Sequence, residues 1–344
     1  MNIQDLIRPT IKALKPYSSA RDEFQGNSDD MVFLDANENP FENGVNRYPD
    51  PQQRTVKSLL SEIKGIPVKN ILLGNGSDEV LDLIFRAFCE PNQDNIITLP
   101  PTYGMYSVLA NINAVEIKRV QLDDDFQPKV DTILNEADTK SKLLFLCSPN
   151  NPTGNSFEAI AIEKLIKEFK GIVVIDEAYI DFSNEESWVS RLNEFPNLIV
   201  TQTLSKAYGM AGIRLGICFA SEAIISVLNR IKPPYNVNEL TQQKAILQLE
   251  QNELTKQQVL DILQARDVLI SKLNLVDFIF KIYPTDANFV LVKVDDATKR
   301  YNQLIEKGIV IRNRTTQPGC ENCLRFTIGT PEENKILIDT LNSI

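Results

Sequence analysis

The stretch GIVVIDEAYIDF, residues 171–182, begins with five residues that suit a buried strand, and Asp176 follows them directly. A short apolar run rich in β-branched residues is typical of a strand covered on both faces. A carboxylate at the end of such a strand needs a cationic or hydrogen-bonding partner. The plain alternative is a structural aspartate that caps neighbouring backbone. The stretch therefore predicts a parallel-sheet strand with a candidate functional side chain at its end, and Tyr179 is a second candidate for the same cleft.

Similar apolar runs lie on both sides of this stretch. The predicted strands are NILLG (70–74), NIITL (95–99), AVEIKRV (114–120), KLLFLC (142–147), NLIVTQT (197–203) and RLGICFA (214–220). Helical patterns separate several of them, at 77–90, around 103–111 and at 156–170. Alternating strands and helices predict an α/β fold, in which a mostly parallel sheet lies between two layers of helices.

The pattern changes after residue 236. A long helical pattern covers 239–274, and the strand patterns FIFKIYP, NFVLVKV, GIVIR and CLRFTIG follow it. A long helical pattern followed by several short strand patterns predicts a second, smaller α+β domain. The first 47 residues are polar and interrupted by prolines. We therefore expect an N-terminal arm at 1–47, a large domain at 48–236 and a small C-terminal domain at 237–344.

Charge and hydropathy exclude several classes of partner. The formal net charge of −10 argues against nucleic acid or an anionic membrane as the main partner. The first residues contain no apolar stretch of the kind found in signal peptides. No run approaches the roughly 18 apolar residues of a membrane span. We therefore expect a cytoplasmic protein with small-molecule substrates.

Cysteine and histidine usage narrows the possible chemistry. The five cysteines are scattered and odd in number, which favours reduced thiols. Cys320 and Cys323 form the one pair with metal-ligand spacing, but the chain has no histidine, so no metal site is predicted. The lack of histidine also removes Ser-His-Asp and Cys-His catalysis. Proton transfer must therefore use a lysine, a tyrosine, a carboxylate or a bound cofactor.

Three further segments place unusual residues after predicted strands, where ligands collect in open α/β sheets. GNGSDE (74–79) joins a strand to a helix whose free N–H groups would hold a phosphate; an ordinary helix capped by Ser77 or Asp78 is the alternative. SPNNPTGN (148–155) is a rigid loop that can present an amide. TLSKAYGMAGIRLG (203–216) carries Lys206, which is either a surface lysine or a desolvated amine able to form a Schiff base.

Together these segments fit pyridoxal 5'-phosphate. This cofactor needs a lysine for its aldehyde and a carboxylate for its pyridine nitrogen. Lys206 and Asp176 supply this pair at one edge of the predicted sheet. Tyr103, in PPTYGMY (100–106), is the candidate for a flat group that stacks on the ring.

The chain resembles the fold-type I pyridoxal-phosphate aminotransferases, and within them the branch that acts on histidinol phosphate. The matching motifs run in family order from residue 16 to 330. They are PYSSARDE (16–23), LDANENPF (34–41), RYPDP (47–51), GNGSDE, PPTYGMY, SPNNPTG, IDEAY (175–179), TLSKAYGMAGIRLG and CLRFTIGT (323–330).

The resemblance implies a role at the cofactor for each matched position. Lys206 would hold the cofactor aldehyde and later move a proton between two carbon atoms. Asp176 would pair with the pyridine nitrogen, and Tyr103 would stack on the ring. Asn151 and Tyr179 would donate to the phenolate oxygen. The implied contacts around the phosphate are Ser205, Arg214 and the backbone of Ser77 and Asp78, and Thr203 is a further implied cofactor contact.

The resemblance also implies how substrate and partner bind. Arg312 and Arg325 would bind the anionic group of the substrate, with Arg314 as a competitor for Arg312, and Tyr17 would close over the substrate. Tyr48 would reach the phosphate of the neighbouring subunit's cofactor, so the protein would be a homodimer. The arm at 1–47 would contribute to the small domain and to dimer contacts.

The reaction implied is transamination between L-glutamate/2-oxoglutarate and imidazole-acetol phosphate/L-histidinol phosphate, in L-histidine biosynthesis. An aromatic amino-acid aminotransferase and a threonine-phosphate decarboxylase share the scaffold and stay open as alternatives. A regulator that senses pyridoxal phosphate is the alternative from another class. It would need an added DNA-binding module, for which the chain has neither spare length nor basic charge.

Overall fold

The computed structural model of the chain describes residues 2–15 and 31–344. The strands are β1 (Ile71–Asn75), β2 (Asn95–Thr98), β3 (Glu116–Arg119), β4 (Ser141–Cys147), β5 (Ile172–Asp176), β6 (Leu198–Thr203), β7 (Leu215–Ala220), β8 (Ile279–Ile282), β9 (Phe289–Val294), β10 (Arg312–Asn313) and β11 (Cys323–Thr327). The helices are α1 (Pro9–Ala13), α2 (Arg54–Lys64), α3 (Gly76–Phe88), α4 (Met105–Ile112), α5 (Val130–Glu136), α6 (Ala159–Glu168), α7 (Glu222–Ile231), α8 (Glu239–Leu249), α9 (Asn252–Leu273), α10 (Ala297–Glu306) and α11 (Pro331–Leu341).

The first seven strands form one sheet in the order β1-β7-β6-β5-β4-β2-β3. Every neighbouring pair from β6 to β3 is parallel, and β7 runs antiparallel to both β1 and β6. All five residues of β5 are buried, as its continuous apolar run requires. Hydrophobic clusters cover both faces of the sheet. The predicted mostly parallel sheet between helix layers is confirmed.

The register of the parallel strands decides where functional side chains meet. Asp176, the last residue of β5, is the Cα partner of Cys147 at the end of β4 and of Thr201 near the end of β6. Because the carboxyl ends of parallel strands share one edge of a sheet, the loops after β4, β5 and β6 open at the same place. This edge carries the candidate site.

The last four strands form an antiparallel sheet in the order β10-β11-β9-β8, with its own hydrophobic cluster. The predicted smaller α+β layer is therefore present. The strand predicted at GIVIR (308–312) is wrong for its first four residues, because β10 begins only at Arg312. Gly308, with φ 84°, ends α10, and the N–H of Ile309 bonds back to the carbonyl of Leu304 at 2.8 Å. These residues terminate a helix and cannot pair as a strand.

The long helical pattern at 239–274 forms two helices, α8 and α9, with a break at Glu250 and Gln251. Gln251 has ψ 33°, outside the helical range, and the N–H of Leu254 bonds to its carbonyl to start the next helix. No glycine or proline marks this break in the sequence.

The first residues pack on the helix layer of the large sheet. Ile3 and Ile7 are buried there, and Arg8 pairs with Glu90 at 3.2 Å. The proposed boundaries at 47 and 236 stay predictions. Within 2–15 and 31–344, no helix combines the length and apolar character needed to cross a membrane.

Candidate active site

A pocket opens at the carboxyl edge of the large sheet. It brings together the predicted residues Ser77, Asp78, Tyr103, Asn151, Asp176, Tyr179, Thr203, Ser205, Lys206 and Arg214. Cys147 and Ala178, which the sequence analysis did not select, also line it. The segments that follow five different strands, β1, β2, β4, β5 and β6, thus converge on one small space.

Asp176 is buried at the end of β5 and accepts two hydrogen bonds. The hydroxyl of Tyr106 donates to one carboxylate oxygen at 2.7 Å, and the backbone N–H of Ala178 donates to the other at 3.2 Å. Burial raises the pKa of Asp176, and the hydrogen bond from Tyr106 opposes this rise. A cationic N–H partner would stabilise the carboxylate further, so the side chain suits a protonated ring nitrogen.

Tyr106 is a functional neighbour that the sequence analysis did not select. Its ring is fully buried and stacks on Phe145, with ring centroids 4.8 Å apart. Burial and the nearby Asp176 raise its pKa well above the usual tyrosine value, so the phenol stays a hydrogen-bond donor. The signal was present in PPTYGMY, because Tyr106 lies three residues after Tyr103.

Lys206 lies in a tight turn between β6 and β7. The N–H of Gly209 bonds to its carbonyl at 3.0 Å, and the positive φ of 65° at Gly209 closes the turn. The Lys206 Nζ atom lies 5.6 Å from the centre of the Tyr179 ring. Although much of the side chain keeps access to solvent, desolvation of the ammonium is the largest cause of its lowered pKa, and Arg325 is the next. The lysine is therefore biased toward the neutral, nucleophilic amine.

Ser77 and Asp78, in the first turn of α3, line the pocket, whereas the N–H of Gly76 already bonds to the carbonyl of Arg214 at 2.8 Å. The helix begins at Gly76, and the cap residue Asn75 makes no side-chain capping bond. Ser77 and Asp78 therefore lie in the first turn, and neither caps the helix as the alternative reading required. Unsatisfied N–H groups and the helix dipole favour an anion at this position.

Two glycines bring β7 against this helix start. A Cβ atom on Gly216 would lie 2.3 Å from backbone atoms of Gly76 and Ser77, and one on Gly76 would lie 2.6 Å from the Arg214 guanidinium. Arg214 itself has a positive φ of 58° and approaches Asp78 at 3.6 Å. The close approach places a guanidinium beside the free N–H groups, which fits a phosphate.

Tyr103 forms one wall of the pocket. Its hydroxyl donates to Asp78 at 3.1 Å, and its ring meets Tyr106 edge to face at 5.6 Å. Burial and then Asp78 raise the pKa of Tyr103 above the usual value. The ring is thus fixed at both ends, as a stacking group requires.

Asn151 connects the pocket to the small sheet, because its side-chain oxygen accepts a hydrogen bond from Arg325. The neighbouring Asn150 is buried and holds the loop by donating to Pro101 at 2.9 Å and to Thr153 at 2.8 Å. Asn151 is among the residues predicted from the sequence, whereas the scaffolding role of Asn150 is not.

Arg325 and two neighbours form a cluster of guanidinium groups. Arg312 and Arg325 are direct Cα partners in the β10–β11 pair, and both line one cavity of the small sheet. Arg314 follows two residues later and is half-buried, whereas Arg312 is exposed. Burial, followed by repulsion from Arg314, lowers the pKa of Arg325 to about 10. Among the described residues, none of the three forms a salt bridge with an acid. Such a cluster suits an anionic ligand.

Two predicted residues lie elsewhere. Tyr48 is about half exposed, at 51%, and stacks on Tyr235 with ring centroids 4.5 Å apart, outside this pocket. Tyr17 lies outside the described residues.

The chain is similar to known aminotransferases over nearly its whole length. The sequence profile of the family described as aminotransferase class I and II matches residues 28–341. The histidinol-phosphate aminotransferase of Flavobacterium johnsoniae is 66% identical over 341 residues, covering 99% of this chain and 98% of that one.

Solved structures show the same similarity in fold. The histidinol-phosphate aminotransferase of Clostridium acetobutylicum has a TM-score of 0.80 at 25% identity, covering 87% of this chain and 90% of that one. That of Sinorhizobium meliloti, solved in complex with pyridoxal-5'-phosphate, has a TM-score of 0.79 at 23% identity, covering 86% and 82%.

Proposed function

Because the chain belongs to the aminotransferase class I and II family and is a pyridoxal-phosphate enzyme, we propose that it acts on histidinol phosphate. The reaction would exchange an amino group between L-glutamate/2-oxoglutarate and imidazole-acetol phosphate/L-histidinol phosphate, in histidine biosynthesis. The observation that carries this proposal is the guanidinium cluster at Arg325, which adjoins the pocket through Asn151. Two arginines suit a dianionic phosphate, and either suits the side-chain carboxylate of glutamate.

The pocket residues fit the cofactor. The uncapped start of α3 and Arg214 would hold its phosphate, and Asp176 would hold the proton on its ring nitrogen. When bound, the cofactor supplies an electron sink that makes the Cα–H bond of the substrate acidic. The backbone around Ser77 and Asp78 and the hydroxyls of Thr203 and Ser205 complete the proposed phosphate contacts.

Lys206 would serve both as the attachment point and as the proton carrier. A lysine biased toward the neutral form can attack an aldehyde, and once released it can accept a proton from the substrate's Cα. Its Nζ lies over the Tyr179 ring, 5.6 Å from the ring centre, and the lysine lines the pocket. With no histidine in the chain, this lysine is the best placed base.

Tyr179 and Asn151 would bind the phenolate oxygen, and Tyr103 would cover the ring. Tyr179 is buried, and burial raises its pKa, so it stays a donor at neutral pH. The Asn151 oxygen is occupied by Arg325, which leaves its NH₂ group to donate. Tyr17, which we expect over the substrate, stays a prediction.

We also propose a homodimer in which Tyr48 contacts the partner's cofactor. The exposed position of Tyr48 outside its own pocket supports this assignment. A cytoplasmic location is proposed as well, and the five cysteines, all free and buried, suit a reducing compartment.

Half-reactions test the substrate assignment. The purified enzyme loaded with cofactor is mixed in turn with L-histidinol phosphate, phenylalanine and threonine phosphate, and the loss of the cofactor's visible absorbance is followed. We expect histidinol phosphate to react fastest. Faster reaction with phenylalanine would favour an aromatic aminotransferase, and release of carbon dioxide from threonine phosphate would favour the decarboxylase.

A further inference from the structure

Lys232, the residue that follows α7, is a buried lysine that the proposed reaction does not use. Its Nζ lies within hydrogen-bonding distance of four oxygens: Pro51 O at 3.1 Å, Pro233 O at 3.3 Å, Pro234 O at 3.5 Å and Asn236 Oδ1 at 3.1 Å. Only 7% of the residue is exposed. Because a buried ammonium is costly without such partners, these oxygens must stay in place around it.

One line of contacts leads from Lys232 to the start of α3. The amide nitrogen of Asn236 donates to Leu73 O in β1 at 3.0 Å and to Glu79 Oε2 at 2.7 Å. The same Glu79 oxygen accepts the backbone N–H of Asn75. Asn75 directly precedes the first residue of α3, so Glu79 and Asn236 fix the backbone that presents free N–H groups to the pocket.

A second line leads from Lys232 to the segment 48–51. Lys232 contacts the carbonyl of Pro51, three residues after Tyr48. Tyr48 stacks on Tyr235, which lies next to Asn236, with the ring planes 19° apart. Gln242 donates to the carbonyl of Asp50 at 3.1 Å and fixes the same segment from α8. The turn at 232–236 therefore holds the Tyr48 side chain and its backbone together.

We propose that Lys232 is a positioning residue for two cofactor sites at once. Through Asn236 and Glu79, Lys232 fixes the position of the backbone at the start of α3, which would bind the cofactor phosphate of the same subunit. Through Pro51 and the Tyr48–Tyr235 stack, Lys232 also fixes the position of Tyr48, which would reach the partner's cofactor. The second part rests on the proposed dimer. A single buried ammonium thus links cofactor binding in one subunit to the geometry of the other.

The test measures the dissociation constant of pyridoxal phosphate for the full-length dimer, from the visible absorbance of the bound cofactor. In Lys232→Met we expect binding to weaken about tenfold, the effect of losing a charged hydrogen-bonded group that holds a site. Lys57→Met is the matched control. Lys57 is also buried, and burial together with repulsion from Lys232 lowers its pKa to about 8. This replacement removes a buried ammonium nearby but leaves the contacts of Lys232 intact, so binding should change less than about twofold.

Hybrid dimers separate the two lines of contact. Two differently tagged chains are expressed together, and one carries Lys206→Ala, so the visible signal reports only the other chain's site. Lys232→Met is then placed either in the reporting chain or in its partner. We expect weaker cofactor binding in both arrangements, whereas a purely local loss of stability would act only in the reporting chain.

The outcomes are distinct. Unchanged binding in both arrangements overturns the proposal, and an effect confined to the reporting chain overturns its link to the partner. If Lys232→Met does not fold, Asn236→Ala interrupts the line to α3 without removing a charge, and unchanged cofactor binding in that variant counts against the proposal. A wild-type chain that is monomeric or takes up no cofactor would instead refute the proposed function.

Discussion

The pocket of the large sheet and the arginine cluster of the small sheet adjoin each other, but they are built differently. Most pocket residues lie at the end of a strand or in the segment that follows it, and Arg214 directly precedes β7, so the topology of the sheet brings them together. The arginines depend instead on the pairing of a two-residue strand, β10, with β11. On the proposed assignments, cofactor chemistry would be fixed by the backbone of the large sheet, and substrate choice would depend on side chains of the small sheet.

The largest expected effect is at the pocket. Lys206→Ala should lower the rate of every half-reaction by about 10⁴-fold, because it removes the proposed base. Stopped-flow absorbance with glutamate and with histidinol phosphate measures the rates, and Lys244→Ala, an exposed lysine of α8, is the control. A variant that kept one tenth of the wild-type rate would end the assignment of Lys206 as base.

Asp176→Asn should come next, with a loss of about 10²–10³-fold for all substrates. The amide cannot keep the cofactor's ring nitrogen protonated, so the electron sink weakens. Because Tyr106 can still donate to the remaining oxygen, the fold should survive. If the large sheet supplies only the cofactor chemistry, the rate should fall by the same factor for histidinol phosphate and for glutamate. A loss restricted to one substrate would contradict it.

Arg325→Leu should behave differently from both pocket variants. We expect kcat/KM for histidinol phosphate to fall about 100-fold, because a half-buried guanidinium is lost from the proposed anion site. Arg312→Leu should have the same direction and a smaller size, and Arg314→Leu a still smaller one. A larger loss in Arg314→Leu than in Arg312→Leu would transfer the second guanidinium role to Arg314.

The smallest effect concerns pH. The lowered pKa of Lys206 means that cofactor capture should rise with pH through a midpoint below the ordinary lysine value of 10.5. Arg325 is the largest charged contributor to this lowering, so Arg325→Leu should raise the pKa and move the midpoint to higher pH. Arg312→Leu should leave the midpoint in place. The rate of visible absorbance change after adding pyridoxal phosphate gives both midpoints, and identical midpoints in wild type and Arg325→Leu would refute the coupling.

The same contrast explains what the sequence could predict. Asp176 and Lys206 follow apolar strands, and the parallel topology that joins them follows from the alternation of strands and helices. Glu79 and Lys232 gave no comparable signal, because their contacts cross 157 and 181 positions of the chain. The composition of GIVIR predicts a longer strand than β10. The first residues of GIVIR instead terminate α10.

The central claim is that the edge of the large sheet holds pyridoxal phosphate on Lys206. The most direct test is to load the protein with the cofactor, reduce it with borohydride and map the labelled peptide by mass spectrometry. We predict one modified lysine per chain, Lys206, within TLSKAYGMAGIR (203–214). Label on another lysine, or a protein that takes up no cofactor, would contradict the account.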